Sequence, residues 1–448
     1  MVDAIAQALE DAPATAAGRQ AAWYFGRVHA LGEGASLSDL DHYGPTLPDN
    51  WRAAKTDAAV RDDWRNVAAQ VGAPLAELTF ASTSEFAVDI ATTTVKDRRW
   101  KMKMVVEEAP PHRIAQAKWE RVHDFELVVR EAAPADAATL GDLESRCPIV
   151  LGDDVRFWYD RGDRYFDFAR LMEDYTVGLA TVDGAPAAMT CGAKHPVRVG
   201  GELKTIVIVS HLRVLPEHQR KGLWGAANSV LDKYWPQVDG SNAYIAVGNA
   251  GMQHGFRNQR DKWPGVLHRL RFSTARLAGP AYGRPATPDD AATIRERLNS
   301  FHADEEMFVP YTPERLAARL ERAPDLYGWD RVWLADGAVL GVWPAGRAMR
   351  IVTERGGVRT HSDPGLALDY AIAPGGEAAF EGLLRAWCSW LSARGLDRLT
   401  IFTSPHGPAS DLLRSLADEV EPYNMWTPGV PVPAGAETRG LYVDPIYF

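Results

Sequence analysis

Cysteine is scarce in this chain: Cys147, Cys191 and Cys388 are three among 448 residues, odd in number and far apart. Neither a disulfide framework nor a zinc knuckle is expected from them, and reduced, buried thiols fit a cytoplasmic protein. Positive charge is also short. The 49 Lys and Arg stand against 59 Asp and Glu, a net charge of −10, which is the wrong sign for gripping nucleic acid through its phosphates. No apolar run reaches membrane-spanning length, so no membrane partner is expected. The segment Met1 to Asp11 has no basic start and no long apolar core, and a secretory signal is not expected. No Gly-x-Ser-x-Gly elbow occurs, which removes the usual sign of a serine hydrolase.

What the chain does have is an internal repeat. Arg130-Glu-Ala-Ala-Pro-Ala-Asp-Ala-Ala-Thr-Leu140 matches Arg284-Pro-Ala-Thr-Pro-Asp-Asp-Ala-Ala-Thr-Ile294 at a constant offset of 154, identical at 7 of 11 positions. Each copy supplies Pro and Asp as helix-start signals, at Asp136 and Asp290, before an Ala-rich helix. An Asp-Gly hairpin signal follows in each, at Asp183-Gly184 and Asp336-Gly337. Two homologous α/β units are expected, 123–278 and 279–448, joined where Gly and Pro punctuate Leu277 to Gly283.

Residues 1–122 belong to neither copy. Helical patterns over Thr15 to His29 and Thr56 to Val71 precede strand patterns at Phe86 to Ile90, Trp100 to Val106 and, after a turn at Ala109 to Arg113, Ile114 to Trp119. The alternation of Trp100 to Val106 predicts one buried and one wet face. A small α+β domain follows. The stretch Asp97 to Ile114 resembles the end of NTF2-like accessory domains that precede some serine hydrolases.

The strongest local signal is Val214-Leu-Pro-Glu-His-Gln219-Arg-Lys-Gly222-Leu-Trp-Gly225, set between the apolar strand pattern Ile206 to Val214 and a helical pattern, Ala227 to Trp235. Such a turn offers backbone N–H groups and two cations, Arg220 and Lys221, to a pyrophosphate. In order and residues it resembles the acetyl-CoA motif of the GCN5-related N-acetyltransferase (GNAT) family: Gln219 and Gly222 fit, Val214 and Pro216 stand where the family's strand ends, and Trp224 departs from the usual small residue. A Cβ is tolerated in a first helical turn, provided the indole points away from the phosphate.

The resemblance implies a site built of Leu212, Val214, Gln219, Arg220, Lys221, Gly222, Leu223, Trp224 and Gly225 for acetyl-CoA, with Asn249 holding the pantetheine arm. It also implies an oxyanion donor in the backbone around Leu212 to Val214. Seven residues past Asn249, where many members carry a proton-donating Tyr, this chain has Phe256, and a phenyl ring cannot donate a proton. His211, the imidazole on the preceding strand, reads either as a general base or as a hydrogen-bonded structural histidine. Tyr244 reads as core, lid or acid. The run Asp153 to Phe168 falls where the family's lid covers the acceptor. Its aromatics Phe157, Trp158, Tyr165, Phe166 and Phe168 read as acceptor contacts or as helix packing.

In the second copy, aligning Pro374 with Pro216 puts Glu377 at the Gln219 position and Phe380 at the Gly222 position, so charge and bulk both oppose a pyrophosphate. The terminal Tyr442 to Phe448 is apolar and expected to pack. The Phe448 α-carboxylate could enter a site, as a terminal carboxylate does in multi-domain aminoglycoside acetyltransferases.

The expected fold is therefore mixed α+β and α/β, tandem GNAT folds with a mixed central sheet and flanking helices behind a small α+β domain. The expected function is acetyl-CoA-dependent N-acetyl transfer to a small-molecule amine, without a metal. The alternative is an acyl-CoA or small-ligand sensor without turnover.

Overall fold

Alternation decides the N-terminal third. In Arg99–Val106, Met102, Met104 and Val106 are buried while Lys101 and Lys103 are exposed, giving the one wet and one dry face that its pattern predicts. The structure, a computed structural model, describes residues 2–43, 56–71, 73–94, 98–151, 155–249, 252, 262–430, 433, 435 and 439–447. It has two compact units, Met1–Glu126 and Leu127–Phe448.

In the first unit, helices α1 (Val2–Glu10), α2 (Ala16–His29) and α3 (Asp57–Val71) precede an antiparallel meander of β1 (Leu75–Ser84), β2 (Ala87–Thr94), β3 (Arg99–Val106) and β4 (Ile114–Val122). Thr15 caps α2 by accepting the Gly18 N–H at 3.0 Å. Phe25, Val28 and Trp64 bury themselves against Val88, Ile90 and Met104. Each such side chain contributes about 1.5–3 kcal/mol of burial. Trp100 Nε1 donates to the Val71 carbonyl at 2.9 Å and ties the end of α3 to the sheet. Strand β1 has no counterpart in the sequence expectation, because its outer half, Ala81 to Ser84, is exposed and carries no alternation.

The second unit begins with β5 (Leu127–Glu131), α4 (Ala137–Ser145), β6 (Ile149–Leu151), β7 (Val155–Tyr159), α5 (Tyr165–Ala169), β8 (Asp174–Val182), β9 (Ala185–Val199) and β10 (Glu202–Val214). It continues with α6 (Leu223–Asn228), β11 (Gly240–Ala246), β12 (Lys262–Ser273), β13 (Arg284–Pro285), α7 (Ala291–Phe301), α8 (Pro313–Glu321), β14 (Val332–Ala335) and β15 (Ala338–Trp343). Last come β16 (Ile351–Arg355), β17 (Val358–Ser362), β18 (Pro364–Ile372), α9 (Glu377–Ser392), β19 (Arg398–Thr403), α10 (Ser410–Leu416) and β20 (Glu419–Trp426).

The sequence repeat is a structural device. Arg130 grips Asp136 through two bonds of 2.8 and 2.7 Å, and Asp136 also accepts the Ala133 N–H at 2.8 Å. The same triad recurs at the same offset: Arg284 grips Asp290 at 2.8 and 2.6 Å, and Asp290 accepts the Thr287 N–H at 2.9 Å. The Arg130 hydrogen bonds hold the Asp136 carboxyl at about 2, and those of Arg284 hold Asp290 well below the usual range. Both Asp-Gly sites form two-residue hairpins, closing β8 on β9 and β14 on β15.

Twelve strands form one mixed sheet in the order β13-β14-β15-β18-β19-β12-β20-β11-β10-β9-β8-β5. The order mirrors itself about β12 and β20. Strand β12, from the first copy, pairs with β19 of the second, and β20, from the second, pairs with β11 of the first. Strands from 123–278 and from 279–448 thus alternate at the centre of one continuous sheet. A four-stranded sheet, β17-β16-β7-β6, also draws on both copies.

Helices cover the large sheet. Helix α9 buries Phe380, Leu383, Leu384, Trp387, Cys388 and Leu391 at helical spacing, and Trp387 Nε1 donates to the Leu340 carbonyl at 3.2 Å. The helix expected over Ala227 to Trp235 ends early: α6 stops at Asn228, and short 3₁₀ turns occupy Ser229–Leu231 and Trp235–Gln237. Asn228, Ser229 and Asp232 favour local side-chain bonding over helix, and Pro236 cannot continue one. The α6 segment lies so close to the sheet that a Cβ at Gly178 would meet the Ala227 carbonyl at 2.7 Å. Cys147, Cys191 and Cys388 are all buried and unpaired.

Candidate active site

The site is made by two strands that part. Strands β10 and β11 run parallel but pair only over Ile206–Ile208 and Gly240–Asn242. Beyond that point β11 turns to β20, matching Ala243 through Ala246 with Trp426 through Tyr423. Meanwhile β10 loses register with β9 between Ser210 and Arg213. His211 carries this bulge at φ +51, a conformation a β-carbon resists and a packed surround must hold. The gap is a cavity of about 350 Å³ walled by His211, Leu212, Tyr244, Trp224 and Asn249, with Phe157, Tyr159, Tyr423 and Tyr447.

The turn after β10 opens beside this cavity. Pro216–His218 is a 3₁₀ turn, Gln219 is extended, and Arg220 and Gly222 both take left-handed backbone, φ +63 and +85. Gly222 then caps α6. Only a residue without a β-carbon takes φ +85 freely, which accounts for glycine there. Leu223 is buried and anchors the turn, whereas Gln219, Gly222 and Gly225 are exposed. A Cβ at Gly225 would meet nothing within 4 Å, so the surface in front of α6 is open. Trp224, 40% exposed, stands on the cavity wall.

Behind the wall lies a buried charge cluster that the sequence reading missed. Glu144 Oε2 accepts from Arg161 Nε at 2.7 Å, both side chains being fully buried. Glu144 Oε1 lies 3.4 Å from His211 Nδ1 and 3.5 Å from Arg213 Nη2, with no hydrogen bond closed on it. The Arg161 guanidinium also donates to the Ala348 carbonyl at 2.5 Å and stands 4.6 Å over the Tyr159 ring. Burial opposes charge on Glu144, but Arg161, His211 and Arg213 overcome it and hold the carboxyl at about 2. Burial drives His211 down to about 4, with Arg161 and Arg213 adding to the fall against the pull of Glu144. The imidazole stacks on Phe168 at 4.2 Å. With Nδ1 turned to the cluster, Nε2 has no protein partner among the described residues.

One signal for Glu144 was available. Ala137, Leu140, Gly141 and Glu144 are all buried on α4, so this carboxylate sits on the helix's apolar stripe. Arg161 and Arg213 carried no such local mark.

The remaining expected residues fall as follows. Tyr244 is half-buried on the cavity wall, where its hydroxyl accepts from Asn242 Nδ2 at 3.1 Å and burial raises its pKa. Asn249 also lines the cavity, and its Oδ1 accepts the Met252 N–H at 3.2 Å. Val214 ends β10 and pairs with Ala188. Lys221 Nζ lies 3.4 Å from His218 Nδ1. Of the lid aromatics, Phe157 reaches the cavity; Tyr165, Phe166 and Phe168 are core, and Trp158 stacks under Arg359. Phe256 and Phe448 lie outside the described residues. Just before Phe448, the chain is fixed: Arg319 Nη1 donates to Asp444 Oδ2 at 2.6 Å, and Tyr447, bonded to His195 Nδ1 at 3.1 Å, completes the cavity wall.

The second copy lacks the long turn. Its helix α9 already starts at Glu377, right after Gly375 and Gly376. Phe380, which the alignment set at the Gly222 position, is not at a turn but fully buried in the core beside Tyr370. Among the described residues, no group of His, Cys, Asp or Glu is placed to hold a metal, and no helix is long and apolar enough to cross a membrane.

No family model matches the chain, and no curated protein does. Among solved structures, similar chains include N-myristoyltransferase of Saccharomyces cerevisiae with bound myristoyl-CoA, 10% identical over 75% of this chain and 92% of that one, TM-score 0.49. Another is a GCN5-related N-acetyltransferase from Kribbella flavida, 14% identical over 67% and 71%, TM-score 0.36.

Proposed function

We propose that the chain is an acyl-CoA-dependent N-acyltransferase, with acetyl-CoA as donor and a small-molecule amine as acceptor. In this reading 123–278 and 279–448 are two GNAT-like units whose strands alternate at the sheet's centre, and 1–122 is an accessory domain of NTF2-like type. One observation supports it: a parallel strand pair parts beside a turn with left-handed backbone at Arg220 and Gly222, and Trp224, just after that turn, lines the cleft between the strands.

The cradle from Gln219 to Gly225 would take the CoA pyrophosphate on backbone N–H groups, aided by Arg220 and Lys221. The gap between β10 and β11 has the form for an extended pantetheine arm, which Asn249 would hold. The thioester would then lie at the His211 bulge, where backbone N–H groups of Leu212 to Val214 face the developing oxyanion.

The acceptor would enter past Phe157 and Tyr159. As the amine nitrogen bonds to the carbonyl carbon, His211 Nε2 takes its proton in the tautomer whose Nδ1–H points at Glu144 rather than accepting from Arg161, and the buried carboxylate steadies the imidazolium that forms. A depressed pKa keeps His211 unprotonated and ready at neutral pH. Collapse of the tetrahedral intermediate breaks the carbon–sulfur bond, and Tyr244, on the cavity wall, gives its hydroxyl proton to the departing thiolate.

Mass spectrometry after incubation with acetyl-CoA and a panel of amines tests this reading. Acetylated amine plus free CoA is the expected result. Tight CoA binding without any product across the panel would instead favour a sensor.

A further inference from the structure

The cleft between β10 and β11 is rich in rings and has no acid on its wall. Phe157, Tyr159, Tyr423 and Tyr447 line it, all buried, and Ile149 lines it beside Phe157 from the neighbouring strand β6. Among the described residues no Asp or Glu does; the ionisable groups on the wall are His211, Arg213 and four tyrosines.

The charges nearest these rings are guanidiniums. Arg161 stands 4.6 Å from the Tyr159 ring centre, and Arg269 stands 5.7 Å from that of Phe157 and 5.4 Å from that of Tyr423. Glu144 and Glu421 pair with them, and none of these four residues lines the cavity. A cation over a ring engages its π density and leaves that ring a poorer partner for a second cation. An ammonium entering here would lose water, find no carboxylate and meet Arg213 as a like charge. An uncharged aromatic ring meets the opposite conditions: it buries apolar area and packs against rings made electron-poor by their guanidiniums.

The chemistry adds a second requirement, because the attacking nitrogen must arrive with its lone pair free. An alkylamine arrives as an ammonium, and His211, lowered to about 4 by burial, is a weak base for removing that proton. An arylamine is already unprotonated at neutral pH, since its lone pair is shared with the ring. Its nitrogen becomes strongly acidic only on bonding to the carbonyl carbon, which a weak base can match.

We propose that the acceptor is an arylamine, a primary amine borne directly on an aromatic ring, with the ring packed among Phe157, Tyr159 and Tyr423 and the nitrogen at His211. This names the acceptor class for the acyl-transfer reading above and rests on it. The nitrogen–carbon bond forms, the carbon–sulfur bond breaks, one nitrogen proton passes to His211 Nε2, and the thiolate takes its proton from Tyr244. Proton exchange with water then resets both side chains.

Steady-state kinetics with acetyl-CoA and p-anisidine, phenethylamine, spermidine or kanamycin test it. The kcat/KM for p-anisidine is expected to exceed each of the others by at least about tenfold. Ile149→Glu, at a half-buried position, puts a carboxylate beside Phe157 and shrinks that preference; Phe157→Leu, which removes a ring, shrinks it as well. Calorimetry with p-anisidine in the presence of CoA reads binding without turnover. If none of the four amines is acetylated, the acyl-transfer reading fails, and saturable p-anisidine binding weakened by Phe157→Leu still supports the arylamine site. Phenethylamine, spermidine or kanamycin acetylated as well as p-anisidine or better would overturn the proposal and leave acyl transfer standing. So would an undiminished preference in both folded variants, or neither acetylation nor saturable binding of p-anisidine up to about 10 mM.

Discussion

Glu144 Oε1 lies 3.4 Å from His211 Nδ1, directly behind the wall of the cavity that opens between β10 and β11. The contact sets a fully buried carboxylate beside the one imidazole on the bulged strand, whose Nδ1 also lies 3.5 Å from Arg161 Nη2. A neutral imidazole backed by a carboxylate is the arrangement that general-base chemistry needs.

His211→Gln is therefore expected to slow acyl transfer by about 10²- to 10⁴-fold while CoA affinity stays unchanged. Steady-state kinetics alongside calorimetry read the two effects separately. An unchanged kcat would leave His211 with a packing role only.

Glu144→Gln leaves Arg161 buried without its counter-charge. Breaking such a pair costs about 3–5 kcal/mol, and urea unfolding is expected to show a loss of that size. The paired change to Glu144→Gln with Arg161→Met should recover part of it, since both charges are then gone.

Stability should fall with acid in a defined window. His211 and His195 are both lowered by burial from 6.5 to about 4, so the unfolded chain binds protons that the folded chain refuses between those values. The contribution is full above about 6.5, shrinks as pH falls and is gone below about 4, with roughly 3 kcal/mol at stake per histidine. Glu144, lowered to about 2, adds a further loss below its ordinary value of 4.5. Urea midpoints measured from pH 7 to pH 4.5 should decline steadily, and less steeply for His195→Phe.

Residues 123–278 alone should not form a stable domain. Cutting there removes β20, the partner of both β11 and β12, and exposes the pairing edges of each. Co-expression with 279–448 should restore a soluble complex. A folded, cooperatively melting fragment 123–278 would contradict the role given to β20.

The repeat was legible because its cause is local. Arg130 and Asp136, like Arg284 and Asp290, act within six residues of each other, so spacing alone carries the signal. The mixed sheet with flanking helices followed from the same reading. The central pairing of β20 with β11 and β12 was not legible, since which edge a strand joins is decided by distant partners such as Tyr423 and Met425. In the site, Gly222 announced its left-handed backbone, whereas Arg161 bonds across 187 residues to Ala348 and left no pattern. Phe380 misled for a related reason: aligning prolines assumed equal turn lengths, and α9 begins too soon for that.

The central claim is that one CoA binds in the first copy. Titration calorimetry with CoA should give one site per chain, lost in Gly222→Glu, where a carboxylate and a β-carbon enter a φ +85 position in the cradle, and retained in Phe380→Ala at whatever fraction remains folded. Unchanged CoA affinity in folded Gly222→Glu would contradict the account.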